Sequence, residues 1–250
     1  MAFGQDQKFS LRTSANKTYT TTIDAGLREY MLRIYNYMAS GLALTGIIAY
    51  VTANIPAIKG LMYTAGPSGY LEPTGLAWIA MLAPLGFILA LSFGINRMKA
   101  STAQAVFWGF AAVMGLSLSN IFLTYTGASI ARVFFIAAGT FAAMSLYGYT
   151  TKRDLTKLGG FLFMGLIGII LASIVNIFVQ SGPMAFVISV IGVLVFVGLT
   201  AYDTQTIKNM YYAGDSDSVG SKKALMGALR LYLDFINLFI LLLQLFGQRR

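Results

Sequence analysis

The sequence predicts an all-α polytopic membrane protein with seven transmembrane helices. Of its 250 residues, 57% are hydrophobic and only 11% are charged, which is far from the average of soluble globular proteins. Apolar stretches follow one another along the chain, each close to the roughly 20 residues that a helix needs to cross a bilayer. A composition and a pattern of this kind are typical of integral multi-pass membrane proteins.

The residue types that are missing exclude several kinds of site. The chain contains no Cys and no His. Most zinc, haem and iron–sulfur centres are therefore excluded, together with Cys nucleophiles and His-based triads. We expect no cofactor and no enzymatic activity. The net charge of +9 comes from Lys and Arg that lie mainly between the spans, so we expect them to meet anionic lipid and not nucleic acid.

The chain is predicted to divide into a tail and a membrane domain. Residues 1–23 are polar and lack the apolar core and cleavage site of a signal peptide, so we expect a retained, mobile tail. Residues 24–250 form the seven-helix domain. Asp24 is expected to cap a helix that carries Arg and Tyr at headgroup level and runs into the first span.

The seven spans are the apolar stretches themselves, separated by short polar or Pro-containing turns. Small residues within them suit close helix packing in lipid. The spans lie at about residues 34–54, 76–95, 103–125, 129–149, 158–180, 184–205 and 225–246.

The distribution of Lys and Arg predicts the orientation. Thirteen of the 18 lie on the side of the N-terminus, four lie on the other side, and Arg230 lies within the last span. This bias predicts a cytoplasmic N-terminus and an external C-terminus. Arg249 and Arg250 at the C-terminus weakly oppose this bias. A last segment that enters the membrane without crossing it therefore remains an alternative.

The last span combines an apolar surface with one polar stripe. At about 100° per residue, Arg230, Asp234, Asn237 and Gln244 fall within roughly 80° of one another. An ionisable residue at membrane depth is costly and normally faces the protein interior or water. We therefore expect the other helices to enclose this span.

Two acidic residues are the candidate functional pair. Of nine acids, only Asp203 and Asp234 lie within spans, near the cytoplasmic end of span six and ten residues into span seven. Two carboxylates held together out of water resist double ionisation, so we expect them to share a proton. When both ionise they repel, and a divalent cation becomes the natural counter-ion. Alternatively, Asp203 pairs with Lys208 or caps its helix, Asp234 pairs with Arg230, and nothing moves.

Three segments resemble the Bax inhibitor-1 family, also called the transmembrane Bax inhibitor motif proteins. They are GLTAYDTQTIKNMY at 198–211, LYLDFINLFILLLQLFG at 231–247 and GLSLSNIFLTYTGASI at 115–130. The resemblance extends over roughly residues 33–247, and bacterial members are the most similar. It implies a bacterial inner (plasma) membrane as the location. It also implies a fold in which the last helix is wrapped by two three-helix layers.

The same resemblance implies a pH-sensitive calcium leak, with calcium as the permeating ion and an aspartate pair at Asp203 and Asp234. Thr200 and Asn237 are the polar neighbours expected to support the pair. In the family an Arg near the cytoplasmic end of span two can latch onto the pair. Here Asn96 stands at that position and Arg97 follows it, while Arg230 is a second departure that could replace the latch.

Two further functions stay open. Some bacterial relatives resemble modulators of a membrane-bound ATP-dependent protease, and the tail at 1–23 would then be the interaction element. An Asp on each of two neighbouring spans also resembles the intramembrane aspartyl proteases. Those enzymes need Gly-x-Gly-Asp, where this chain has Tyr232-Leu233-Asp234, and a later Pro-Ala-Leu, whereas the last proline here is Pro183.

Overall fold

The computed structural model describes residues 5–66 and 71–250, with side chains described from residue 25 onward. The helices and strands in this part of the chain are, in order, α1 (Gln5–Asn54), α2 (Pro56–Met62), β1 (Tyr63–Ala65), β2 (Leu71–Pro73), α3 (Gly75–Gly94), α4 (Ala100–Thr124), α5 (Gly127–Thr150), α6 (Thr156–Val179), α7 (Gly182–Asn209) and α8 (Asp217–Phe246). Seven of these helices, α1 and α3 to α8, are long and apolar enough to cross a bilayer. The predicted all-α membrane fold with seven spans is confirmed.

Helix α1 supplies the first span over Ala25–Asn54. It continues without a break through residue 34, so the helix predicted to begin at headgroup level and the first span are one element. The predicted tail, residues 1–23, falls outside the residues whose side chains are described, and its mobility stays a prediction. After α1, helix α2 and an antiparallel β1–β2 hairpin connect to α3.

Four of the spans begin at a hydroxyl side chain. Its oxygen accepts a hydrogen bond from the backbone N–H three residues further on, and this satisfies a donor that the helix itself leaves unpaired. The capping residues are Thr74 for α3, Thr126 for α5, Ser181 for α7 and Ser216 for α8.

Helix α8 is the most buried of the spans. Helix α4 packs against α1 and α3, and helix α7 packs against α5 and α6. Helix α8 packs against α1, α4, α5 and α7. In the apolar window of α8, 72% of the residues are buried, against 6% in α6. Helix α8 is therefore enclosed, whereas α6 faces outward; the two-layer arrangement itself stays a prediction.

The last span crosses the whole bundle. Its C-terminal residues meet the turn between α4 and α5, where Thr126 N donates to Gln248 O over 3.0 Å and Arg250 N donates to Thr124 O over 2.9 Å. Gln248 N also donates to Ser129 Oγ over 3.0 Å. Successive spans alternate in direction, so this turn lies at the end of the bundle opposite to where α8 begins. The alternative of a re-entrant last segment is wrong.

The turns after α3, α5 and α7 share the other end of the bundle. Most of the Lys and Arg residues among those whose side chains the structure describes lie at or near this end, and we call it the basic end. Helix α8 also begins there.

One glycine sets the distance between α5 and α7. A Cβ atom at Gly148 would collide with the backbone carbonyl group of Ala201 on α7. At Gly139 on the same helix, an added Cβ would meet no atom within 4 Å. The small residue at Gly148 is thus what lets the two backbones touch, as is common between helices in lipid.

Candidate ion pathway at an aspartate pair

Helices α7 and α8 pack antiparallel with a regular register along the polar stripe. Near the end of the bundle opposite the basic end, Ser189 Oγ donates to Gln244 Oε1 over 2.8 Å. At the other end of the contact, Asp203 meets Arg230. Moving 14 residues along α7 from Ser189 to Asp203 moves the contact 14 residues back along α8. This constant register is what two nearly straight antiparallel helices produce.

A glycine lies between these two contacts. A Cβ at Gly192 would come within 2.8 Å of Leu241 Cδ1, so the Leu241 side chain lies directly against the α7 backbone. The small and polar face of α7 therefore receives the polar stripe of α8, and this contact sets the level at which Asp203 meets α8.

The two acidic side chains lie next to each other inside the bundle. Asp234 is 5% exposed, and the side chain of Asp203 is 15% exposed. Asp203 contacts α8 at Arg230, one helical turn before Asp234. No donor among the described residues reaches Asp234 Oδ2, which is fully buried. An ionised carboxylate without a donor is costly in such a place.

The cation beside the pair contacts Asp203. Arg230 Nη1 lies 3.5 Å from Asp203 Oδ1, and the Arg230 side chain is 45% exposed. The sequence alternative in which Arg230 pairs with Asp234 is therefore not the arrangement found. The register explains the difference, because Arg230 faces α7 at the level of Asp203 while Asp234 lies one turn deeper in the bundle.

Lys208, the other partner considered for Asp203, points elsewhere. Its Nζ atom donates to Tyr149 O over 2.7 Å and lies 5.1 Å from the centre of the Tyr149 ring. Arg97 is exposed in the turn after α3, and no salt bridge joins it to a carboxylate of the described residues. The basic group at the pair is thus Arg230.

The two predicted supporting polar residues bond to their own helices. Thr200 Oγ1 donates to Phe196 O over 2.8 Å, and Asn237 Nδ2 donates to Leu233 O over 2.8 Å. These contacts satisfy the side chains locally. They give neither residue a hydrogen bond to a carboxylate of the pair.

A chain of hydroxyl groups that joins three helices escaped the sequence analysis. Tyr35 Oη and Ser145 Oγ are 2.6 Å apart, and Ser145 Oγ and Thr204 Oγ1 are 2.9 Å apart. Thr204 Oγ1 in turn donates to Thr200 O over 2.7 Å. The chain joins α1, α5 and α7 and ends at the residue after Asp203. The one signal in the sequence is that Thr204 directly follows Asp203. Tyr35 and Ser145 lie on distant spans, so their positions in the sequence do not link them to Thr204.

The pair offers too few oxygen atoms for a closed calcium site. Calcium takes six to eight oxygen ligands, and two carboxylates supply at most about four. Among residues 25–66 and 71–250, no group of three or more acidic, Cys or His side chains that could hold a metal ion is found. The arrangement suits an ion that keeps part of its water shell and binds transiently.

Comparisons with known proteins support the sequence resemblance. Residues 27–250 match the family model described as inhibitor of apoptosis-promoting Bax1. An uncharacterized protein of Rickettsia prowazekii is 51% identical over 238 residues, which cover 95% of each chain. The inner membrane protein YbhL of Escherichia coli K12 is 47% identical over 228 residues, 90% of this chain and 94% of that protein. An uncharacterized protein of Caulobacter vibrioides is 45% identical over 230 residues, 92% of each.

The family match covers all seven membrane-crossing helices apart from the first residues of α1, and it includes both aspartates. The resemblance predicted from the sequence motifs is confirmed: the chain is an integral multi-pass membrane protein that belongs to the Bax inhibitor-1 family.

Proposed function

We propose that this protein is a pH-sensitive calcium leak channel in which protonation of the Asp203 and Asp234 pair controls the pathway. The observation that carries the proposal is the fully buried Asp234 Oδ2 atom, which has no donor among the described residues and lies one helical turn from the contact between Arg230 and Asp203. A group in this setting changes its interactions strongly when one proton is gained or lost. Buried acids placed between spans commonly mark ion pathways.

The proton acts as the switch between two arrangements of α7 and α8. With one proton, the two carboxyl groups hold the helices together through a hydrogen bond. With none, the two carboxylates repel each other; for unit charges at a separation of about 4 Å, this repulsion is about 4 kcal/mol at an effective dielectric constant of 20. That energy is large compared with thermal energy, so the ionised pair separates or recruits a cation. A calcium ion then binds weakly enough to be released again, as conduction requires.

The pair lies close to one side of the membrane. Asp203 precedes the end of α7 at Asn209 by six residues, or about 9 Å along the helix axis. The positive-inside rule assigns the basic end of the bundle to the cytoplasm. The half-exposed Arg230 would then lie between the pair and the cytoplasmic side, where it is placed to influence both proton and ion access.

Calcium entry into sealed vesicles that contain the full-length protein and a trapped calcium dye tests the proposal. Entry should vary between about pH 6 and 8, the range that titration of a buried carboxyl group can reach. Asp203→Asn and Asp234→Asn should each remove most of this variation. Asp217→Asn, which changes an acid in the first turn of α8, is the matched control and should leave it intact.

Several outcomes would contradict the leak channel. Unaltered pH dependence in both variants of the pair would falsify the switch. Wild-type vesicles that admit no calcium at any pH would remove the pathway itself and leave the regulator of a membrane protease as the better hypothesis. That regulator should lose its partner when residues 1–23 are deleted. Cleavage of a model transmembrane substrate that is lost in Asp203→Asn would indicate intramembrane proteolysis.

A further inference from the structure

A deep crevice separates α1 from α5 on the side of the bundle. Its volume is about 990 Å³, and Phe235 of α8 contributes to its wall. Small side chains from both helices line it, among them Ala39 and Ala43 of α1 and Ala142 of α5. An added Cβ at Gly46 would meet no atom within 4 Å, so the space in front of this residue is open.

The crevice runs along most of the membrane-crossing length of α1. Its lining residues on this helix extend from Arg28 to Ile47, which corresponds to about 28 Å along the axis. A second cavity of about 280 Å³ shares Leu42, Phe134 and Phe235 with it and continues toward the turn between α4 and α5. The crevice is thus long, and it begins at the basic end.

The polar groups of the wall fall into two kinds. Tyr35 and Ser145 are hydrogen-bonded to each other over 2.6 Å, so neither side chain requires a polar ligand in the middle of the crevice. Arg28 is exposed and is the one charged residue among the described residues that line the crevice. Lys208 lies near the same end of the crevice, where its Nζ atom donates a hydrogen bond to the backbone oxygen of Tyr149, another lining residue. An occupant therefore needs an apolar body and an anionic group at one end.

The crevice has the size of a ligand pocket. A volume of about 990 Å³ matches the upper range of pockets for small molecules and cofactors. Its apolar walls fit acyl chains, and the cation at one end fits an anionic headgroup.

We propose that the crevice between α1 and α5 is a binding site for one anionic phospholipid, with acyl chains along the apolar walls and the phosphate beside Arg28. The lipid comes from the membrane leaflet at the basic end, where the crevice begins. This inference does not depend on calcium transport or on the aspartate pair.

Native mass spectrometry of the full-length protein tests the site. The protein is equilibrated in nanodiscs of equimolar phosphatidylcholine and phosphatidylglycerol and released into mild detergent, and the retained lipids are counted. The wild type should keep one phospholipid and prefer phosphatidylglycerol. Arg28→Gln should reduce this preference about fivefold, the effect of one basic group at an anionic surface. Arg33→Gln on another face of α1, where Arg33 pairs with Glu29, should not change it.

A second pair of variants tests the crevice without changing charge. Gly46→Leu places a side chain in the open space and should abolish retention of both lipids, whereas Gly139→Leu on the outer surface of α5 should retain them. Three results would overturn the proposal. They are a wild type without retained lipid, an Arg28→Gln variant with the wild-type preference, and a Gly46→Leu variant that keeps its lipid. If that last variant also changes its oligomeric state, the crevice belongs to a contact with a second copy of the chain.

Discussion

Replacing Arg230 by Gln is expected to move the midpoint of calcium entry to higher pH by about one unit. The guanidinium group, 3.5 Å from Asp203 Oδ1, stabilises the ionised form of the pair. Its removal makes the protonated form easier to reach, so protonation occurs at a higher pH. The direction of the shift follows from the sign of the charge alone.

The size of the shift follows from the distance and the exposure. Unit charges 3.5 Å apart attract by about 5 kcal/mol at an effective dielectric constant of 20 and by about 1 kcal/mol in water. Because the Arg230 side chain is 45% exposed, solvent screening places the interaction toward the lower value. We take about 1.4 kcal/mol, which corresponds to one pH unit in a titration midpoint.

The assay is calcium entry into vesicles, measured in small pH steps for the wild type, Arg230→Gln and Arg230→Lys. The Lys variant keeps the charge and should remain near the wild-type midpoint. Lys223→Gln removes a cation from the same helix, where it pairs with Asp215 over 2.6 Å, and controls for a general loss of positive charge. A midpoint that stays in place or falls in Arg230→Gln would refute the reasoning, because the cation would then not stabilise the ionised pair.

Two predictions concern helix packing and are measured by thermal unfolding in detergent. Gly148→Ala should destabilise the protein by about 1–3 kcal/mol, because the new Cβ meets backbone that cannot turn away, and Gly139→Ala on the same helix should not. Equal unfolding temperatures for these two variants would contradict the close approach of α5 and α7. Ser189→Ala removes the hydrogen bond to Gln244 and should cost only about 0.6 kcal/mol, the average for such bonds between membrane helices. A loss of stability as large as that of Gly148→Ala would mean that the hydrogen bond between Ser189 and Gln244 stabilises the α7–α8 contact more than a single hydrogen bond normally does.

Sequence reasoning located the spans because their signal is local. Each span is a continuous apolar segment, and the bilayer imposes its length without reference to any other part of the chain. The polar stripe on 225–246 likewise follows from helical periodicity, and its ionisable residues required an enclosed helix. The burial of α8 agrees with that expectation.

Sequence reasoning could not decide which charges meet. Arg230 is one turn from Asp234 in the chain, and an interaction within one helix is the natural first choice. Its partner is Asp203, because the α7–α8 register brings that residue to the same level. A register depends on the packing of many side chains along two helices, and its outcome is not contained in either segment alone.

What the sequence by itself determined is the class of the protein, the number and order of its spans, and the two acids that lie at membrane depth. These properties depend on composition and on periods of a few residues. Only the tertiary structure decided that Asp203 is the partner of Arg230, that hydroxyl groups from three helices meet at Thr204, and that a crevice opens between α1 and α5. Each of these features depends on distances between residues far apart in the chain, which are set when the helices pack together.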